Sequence, residues 1–354
     1  MSNKTITDNF KGQVFYLGID THKSNWKVNI RTSSLHLKSF SINPRPAELF
    51  TYMQRNYPGG IYKSVYEAGF CGYWIHRDLQ ELGFDNTIIN ASDVPTTNKE
   101  KDRKNDHVDS NKLSRELENG SLQCIYIPTP YQESLRSLSR LYRQYAKRST
   151  QVKTRIKSFL DFVGVKESAC DSGKHWSQKY IQWLSAIIFT ERYNQTILEY
   201  HLQELRHIRT VQLDLLRQIR DCCKAIPLIR LLRTIPGIGQ IVSFVLYAEL
   251  IDMKRFRSLN ELCAYTGLVP SLYSSDEKEK VRGLTRRCSG YLRYILIEAA
   301  WIAARCDPAM TAAFCNLTKR MSKKRAIIRI AKKLLNRIRY VWLHEKEYIK
   351  ATIE

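Results

Sequence analysis

Acidic residues are scarce in this sequence, and their scarcity limits the kinds of molecule that the protein is expected to bind. The 354 residues include 34 aspartates and glutamates against 57 lysines and arginines, which leaves a formal net charge of +23. Such a surplus calls for a polyanion, so nucleic acid is the first candidate and an anionic membrane surface the second. The charge alone does not separate an enzyme from a passive binding protein.

Long apolar runs and paired cysteines are also missing. No stretch approaches the roughly eighteen apolar residues of a membrane span, and the opening MSNKTITDNFKGQ lacks the apolar segment of a secretory signal. The nine cysteines are odd in number and include no CxxC pair, so ordinary reduced thiols are expected rather than disulfides or a zinc site. We therefore expect a cytoplasmic, nucleoid-associated protein with no membrane partner.

The first third of the chain has the pattern of an α/β domain. Hydrophobic residues make up 43% of the chain, enough to build real cores. A helix is predicted at Tyr73–Leu82 from its apolar spacing. The predicted strands are Val14–Ile19, Trp26–Ile30, Leu35–Ile42, Tyr62–Tyr66 and Asn86–Asn90. Strands that alternate with helices predict an α/β fold here.

The rest of the chain reads as helical. Tyr131–Leu160 and Glu191–Lys224 have long amphipathic patterns, which fit either a coiled-coil hairpin or a bundle inside one compact domain, and residues 161–185 read as irregular. Further on, Ser271–Gly283 is polar and reads as a loop. The helices predicted after residue 226 are Ile241–Leu250, Leu259–Thr266, Tyr291–Arg305 and Ser322–Glu347.

Four acids have the positions that a two-metal site requires. Asp20 ends a predicted strand and Glu67 follows another. Asp106 and Asp109 lie three residues apart at the start of a helix, so they share one face. Hard oxygen ligands suit Mg²⁺, and two ions ~4 Å apart activate a nucleophile and stabilise the leaving oxygen in phosphoryl transfer. Each acid alone has an ordinary explanation as a cap or surface charge, but the set favours metal binding.

Two serines lie in a segment rich in cations. Ser274 and Ser275 are followed by Lys278, Lys280, Arg282, Arg286 and Arg287. A serine among such cations can attack a phosphodiester, because the cations stabilise the charged transition state. The alternative is a plain polar loop.

Other features point to phosphate contacts. The turn TIPGIG, residues 234–239, is similar to a helix–hairpin–helix turn whose glycines admit a phosphate. Residues 319–339 carry ten basic residues and no acid, although a membrane-surface or calmodulin-binding helix would look similar. The predicted nucleic-acid contacts are Arg136, Arg140, Arg143, Lys147, Arg148, Gly237, Gly239, Arg286, Lys323, Lys324, Arg325, Lys332 and Lys333.

Several segments together resemble the insertion-sequence one-ten transposases. They occur in the family's order and cover most of the chain. The matching segments are YLGIDTHKSNWKV, VYEAGF, KNDHVDS, TIPGIGQIVSFVLYAEL, FRSLNELCAYTGLVPSLYSS, GYLRYILIEAAW and KKRAIIRIAKKL.

The resemblance implies a domain order and a set of site residues. It implies a RuvC-like (RNase H fold) DEDD domain over 1–125, a helical coiled-coil region for dimerisation over 126–225, and a serine-bearing domain over 226–354. The DEDD set maps to Asp20, Glu67, Asp106 and Asp109, the nucleophile to Ser275 with Ser274 as the second candidate, and one arginine to Arg293. This chain departs from the family pattern at Asp276, where a glycine normally follows the serine, at Asn105, and at the RRCSG segment of 286–290.

The resemblance also implies partners. Such proteins recombine donor and target DNA with the help of a structured guide RNA and Mg²⁺, with two ions expected. They assemble as a dimer of dimers in which the acids of one subunit meet the serine of another. Two other interpretations stay open: a RuvC-like Mg²⁺-dependent endonuclease that needs no serine, and a non-catalytic nucleic-acid-binding protein.

Overall fold

The computed structural model describes residues 10–94, 106–166, 176–275, 278–285 and 287–350, with backbone alone for 106–108 and for 271–282 where described. The chain divides into two compact units, Met1–Ile127 and Pro128–Glu354. The second unit includes both the predicted central helical region and the predicted serine-bearing domain, whose separation near residue 226 stays a prediction.

A five-stranded mixed sheet forms the first unit. Its order is β3-β2-β1-β4-β5, in which β1, β2 and β3 are antiparallel and β4 and β5 run parallel to β1. This arrangement confirms the predicted RNase H or RuvC-like fold. The strands are β1 Val14–Thr21, β2 Trp26–Thr32, β3 Leu35–Ile42, β4 Ile61–Glu67 and β5 Asp85–Ile89.

Within the described residues of this unit, three α-helices accompany the sheet. They are α1 Pro46–Asn56, α2 Trp74–Glu81 and α3 Asp106–Glu118. Apolar side chains of β1, β2, α1 and α2 form the main core, with Phe15, Trp26 and Leu49 almost fully buried. Helix α1 is absent from the prediction, although Pro46 at its first turn and Glu48 just behind it are typical start signals.

Helix α3 packs directly on the middle of β1. A Cβ atom at Gly18 would overlap the carbonyl of Ser110 and lie 2.5 Å from the amide nitrogen of Ser114, so only glycine allows this approach. Ser114 donates a 2.6 Å hydrogen bond to Oδ1 of the buried Asn29 on β2. The contact fixes the position of α3 along the sheet, and with it the position of its acids.

Two long antiparallel helices begin the second unit. Helix α4 covers Pro130–Phe162 and α6 covers Arg192–Ala225, and Val152 and Ile156 pack against Leu198 and Leu202. The short α5, Gln178–Ala186, adds apolar side chains to the same cluster, so the prediction of an irregular 161–185 is wrong for these residues. The coiled-coil hairpin and the compact bundle each describe part of the structure. The two helices form a hairpin, and the start of α4 and the end of α6 pack into a compact helical core.

The remaining elements follow, and their helices build a second hydrophobic core that includes Leu246, Leu296 and Leu334. These elements are α7 Pro227–Leu232, α8 Gln240–Leu250, α9 Leu259–Thr266, β6 Pro270–Ser275, β7 Lys278–Leu284, α10 Gly290–Cys306, α11 Pro308–Thr318 and α12 Lys323–His344. The loop predicted at Ser271–Gly283 is wrong, because β6 and β7 pair as an antiparallel hairpin. The main-chain hydrogen bonds between paired strands do not depend on the side chains. A polar sequence can therefore form a hairpin as well as a loop.

None of the described helices combines the length and apolar character that a bilayer span requires. The eight cysteines in the described part of the chain are free thiols.

Candidate active site and nucleic-acid interface

Asp20 and Glu67 lie side by side at one end of the sheet. Strands β1 and β4 run parallel with Ile19 opposite Tyr66, so the next positions along the two strands are the acids. Residues two apart on a strand share a face, so Asp20 shares the face of Gly18, on which α3 packs. Both side chains are half-buried, which leaves carboxylate oxygen accessible at the sheet end. We name this region, with the N-terminal turns of α3, the acid edge.

Helix α3 runs toward this edge. Near its C-terminus, Glu118 accepts a 3.1 Å hydrogen bond from Arg31, which is paired with the early part of β1. One turn earlier, Ser114 bonds Asn29, which is paired further along β1. The N-terminal turns of α3 therefore extend toward the end of β1 that carries the first acid. Asp109 lies in these turns and is half-buried, and the side chain of Asp106 lies outside those described.

One histidine contacts Asp20, and another is buried on the other face of the sheet. Nε2 of His22 lies 3.2 Å from Oδ2 of Asp20. On the opposite face of β4, Asn86 donates a 2.8 Å hydrogen bond to Nδ1 of His76. Burial lowers the pKa of His76, and the accepting Nδ1 is that of a neutral ring.

The donor set at the edge fits a hard divalent cation. Aspartate and glutamate oxygens are the ligands that Mg²⁺ prefers, and Asp20 and Glu67, adjacent at the ends of β1 and β4, would supply two of them. Among the side chains that the structure describes, no three His, Cys, Asp or Glu residues lie close enough together to hold a metal ion. The convergence of all four acids therefore stays a prediction, supported by strand register and the direction of α3.

The candidate serines lie at the free end of the β6–β7 hairpin. Ser275 is the last residue of β6 and pairs with Lys278, and Ser274 pairs with Glu279. Their side chains, with Asp276 and Arg286, lie outside those described. The placement on paired strands holds both serines more firmly than a loop would, and the choice between them stays a prediction.

A buried carboxylate that the sequence analysis missed organises part of the predicted interface. Glu249 on α8 is 2% exposed and accepts hydrogen bonds of 2.9 and 3.0 Å from Nε and Nη2 of Arg140. Nε of Arg136 lies 3.7 Å from the same carboxylate, and Arg136 is itself 9% exposed. Arg136 is thus committed to the interior, whereas the side chain of Arg140 is 58% exposed and also faces solvent. A lone glutamate in an apolar helix gave no signal of this role.

The outer face of α4 continues the basic surface. The guanidinium carbon of Arg143 lies 4.3 Å from the ring centre of Tyr291, and that of Arg148 lies 5.2 Å from Tyr145. Lys147 is exposed beside them. Stacking holds these arginines in place without neutralising them, as phosphate contacts would require.

The remaining predicted contacts differ in accessibility. A Cβ at Gly237, whose φ is +88°, would overlap the carbonyl of Ala299, so packing of the turn on α10 already requires this glycine. Gly239 precedes α8 and faces open space. Arg293 is half-buried and donates a 2.7 Å hydrogen bond to the carbonyl of Thr285. On α12, Lys323, Lys324, Arg325 and Lys333 are exposed and Lys332 is half-buried.

The comparisons with known proteins identify the class. A model of the "Transposase IS116/IS110/IS902 family" matches residues 229–315, and a model of the IS110 DEDD transposase domain matches residues 17–164. A putative transposase, y4qE, of Sinorhizobium fredii is 28% identical over 238 residues, 67% of this chain and 57% of that protein. Another from that organism, y4rJ, is 26% identical over 301 residues, 77% and 74% of the two chains. The transposase for insertion sequence element IS1111A of Coxiella burnetii is 24% identical over 237 residues, 67% and 64%.

Both matched segments thus belong to transposases, one carrying the acids and the other the serines. Residues 17–164 and 229–315 of this chain are transposase domains of the IS110 family. A DEDD transposase domain implies dependence on a divalent metal ion. The match spans just over half of the first relative, 57% of its length.

Proposed function

We propose that this protein is the transposase of an insertion sequence, a DNA recombinase that uses Mg²⁺ and a serine nucleophile and is guided by a structured RNA. The observation that carries the proposal is the acid edge, where strand register puts Asp20 beside Glu67 within the segment that matches the DEDD domain. The second matched segment contains both candidate serines.

The acids serve as ligands rather than as bases in this proposal. Asp20, Glu67, Asp106 and Asp109 would hold Mg²⁺, which when bound stabilises charge on the phosphate oxygens. Asp20 and Glu67 stand at the ends of β1 and β4, so a cation bound there would be held in place while it supplies charge stabilisation to the DNA phosphate. Strand ends hold such geometry more rigidly than a loop.

Ser275 is the proposed nucleophile. Its Oγ forms a bond to phosphorus, and the bond from phosphorus to the 3′ oxygen breaks, which leaves the enzyme joined to a 5′ phosphate. The hydroxyl proton passes to a nearby base or water, and the departing 3′ oxygen takes up a proton. Attack by a 3′ hydroxyl on the serine ester reverses these steps and rejoins the strand. The serine and the acids come from different subunits of a dimer of dimers in this proposal.

The basic surfaces supply the partners. Exposed cations on α4 and α12 suit the phosphates of donor DNA, target DNA and guide RNA. None of these contacts needs base readout, because pairing with the RNA would specify sequence. The RNA that co-purifies with the protein, once sequenced, identifies that partner.

Trapping a protein–DNA adduct tests the chemistry. Wild-type protein with its co-purified RNA, Mg²⁺ and DNA should form a denaturant-resistant adduct. Ser275→Ala should lose the adduct and recombination, whereas the matched neighbour Ser274→Ala should keep at least part of both. The reverse pattern would move the nucleophile by one residue.

The two alternatives have distinct outcomes in the same assay. Strand cleavage without an adduct in the double alanine variant would favour the RuvC-like endonuclease. Unchanged behaviour of both the serine variants and Asp20→Asn, with binding intact, would favour a non-catalytic nucleic-acid-binding protein.

A further inference from the structure

A groove of about 1000 Å³ lies in the second unit beside the base of the β6–β7 hairpin. Its walls come from the hairpin base, from α10 and from the N-terminal half of α12. The groove has two chemically distinct parts, a cationic rim and an apolar floor.

The rim is positively charged throughout. Five of the lining residues are cations and none is acidic: Arg293, Arg320, Arg325, Arg329 and Lys332. Arg320 and Arg329 were not among the predicted nucleic-acid contacts. Arg325 and Arg329 are one helical turn apart on α12, so they present adjacent charges along one side. This spacing suits consecutive phosphates of a polyanion.

The floor is apolar. Leu268, Leu284, Met321 and Ile328 line it. A duplex stacks its bases inside and shows phosphates outside, so it has nothing to place on such a floor. A single strand exposes the faces of its bases, which pack on apolar or guanidinium surfaces while its phosphates follow a positive groove.

We propose that this groove binds single-stranded nucleic acid, with bases over the floor and phosphates on the rim. The proposal rests on the proposed function only for the identity of the polyanion. It goes beyond that function by stating that the bound nucleic acid is single-stranded. An unpaired segment beside the β6–β7 hairpin would have this form. Binding is measured without Mg²⁺ and without cleavage, so an inactive protein can still confirm it.

The first test compares three probes by fluorescence anisotropy with the full-length protein. They are a ten-nucleotide oligothymidylate, an abasic strand of the same length, and a duplex of the same length. The oligothymidylate should bind at least about fivefold more tightly than the abasic strand, because base stacking contributes to binding. Equal affinities for these two strands would overturn the proposal. It would also be overturned if inorganic phosphate displaced the oligothymidylate as effectively as thymidine monophosphate does.

Matched variants separate floor from rim. Ile328→Asn should reduce oligothymidylate binding to the level of the abasic strand while the salt dependence stays unchanged. Arg325→Gln with Arg329→Gln should weaken single-strand binding more than duplex binding and lower the salt slope by about two. The control is Lys324→Gln with Lys333→Gln, exposed on the same helix and outside the groove lining, which should weaken both probes by the same factor.

Folding must be verified for each variant by circular dichroism and thermal melting. Met321→Gln is the second floor variant in case Ile328→Asn does not fold. If the control pair alters the preference for single strands as strongly as the rim pair does, the groove is not the selective site and the proposal fails.

Discussion

In the first unit the acids of interest, Asp20 and Glu67, stand half-buried at the end of a sheet, whereas in the second unit Glu249 and Asp307 are almost completely enclosed. The enclosed acids have arginine partners: Glu249 pairs with Arg140 at 2.9 Å, and Asp307 pairs with Arg337 at 2.9 Å. The enclosed acidic side chains in the second unit are therefore paired with a built-in cation, whereas the two acids in the first unit stay partly exposed to solvent.

The difference shows how burial assigns a role to a carboxylate. A buried acid without a partner would cost several kcal/mol, so enclosure and pairing go together. Asp307 also accepts hydrogen bonds from the Met310 amide and the Tyr348 hydroxyl, so each of its two carboxylate oxygens has a partner. Asp20 retains 24% side-chain exposure, which is what an exchangeable ligand needs.

The largest expected effect is the loss of catalysis at the acid edge. Asp20→Asn should lower strand cleavage about 100- to 1000-fold, because charge stabilisation at the phosphate is lost, while nucleic-acid affinity stays largely intact. The matched control is Asp85→Asn on the same sheet, an exposed residue 3.7 Å from Lys63, which should cleave like wild type. Equal losses in both variants would mean general damage to the sheet.

The next effect contrasts the two kinds of glutamate directly. Glu249→Ala should lower the free energy of unfolding by about 3–5 kcal/mol, because it leaves the buried guanidinium of Arg136 without its charge partner and takes the hydrogen-bond acceptor of Arg140 away. Glu67→Gln should change it by less than about 1 kcal/mol while it abolishes cleavage. Urea denaturation measures the free energy of unfolding of both variants. A stable Glu249→Ala protein would show that the buried network is dispensable and would break the comparison.

The enclosed Asp307 should make the stability of the protein depend on pH. Burial raises the pKa of Asp307, but hydrogen bonds from Tyr348 and Met310 and the charge of Arg337 outweigh it, so the net pKa is lowered. A lowered pKa in the folded state adds stability that is complete above the unfolded value of about 3.9 and is lost as the pH falls below it. Wild-type stability should therefore fall more steeply below about pH 4 than that of Asp307→Asn. Parallel pH profiles would contradict this.

The smallest effect is expected at the C-terminal segment after α12. Tyr348 donates a 2.6 Å hydrogen bond to Asp307, and its amide donates a 2.9 Å bond to Thr234. Tyr348→Phe removes only the first bond and should cost about 1–2 kcal/mol in thermal or urea unfolding. Burial and the Asp307 carboxylate raise the pKa of Tyr348 to about 12, so its ultraviolet titration should occur well above pH 10. Titration near the ordinary value would show that the segment is undocked.

The sheet was largely predictable from sequence because its strands are rich in β-branched and apolar residues, which run continuously in β1 and alternate with polar residues in β2. All five strands of the first unit were predicted within one or two residues, and the acids at the ends of β1 and β4 followed from them. The β6–β7 hairpin was not predictable, since its residues are polar and its stability comes from main-chain pairing.

The partners of the arginines were also beyond sequence reasoning. Arg136 and Glu249 are far apart in the chain, and only packing of α4 on α8 brings them together. A basic helix therefore looked uniformly available for phosphates, although one of its arginines is committed to the interior. The groove floor was hidden for the same reason, because its apolar residues come from separate elements.

The position of a bound divalent ion tests the central claim most directly. Crystals of the wild-type protein grown with Mn²⁺ should give anomalous density at the acid edge, within coordination distance of Asp20 and Glu67 and beside the acids of α3. The same peak should be absent from Asp20→Asn crystals. Ordered Mn²⁺ elsewhere in the protein, with no density at this edge, would contradict the account.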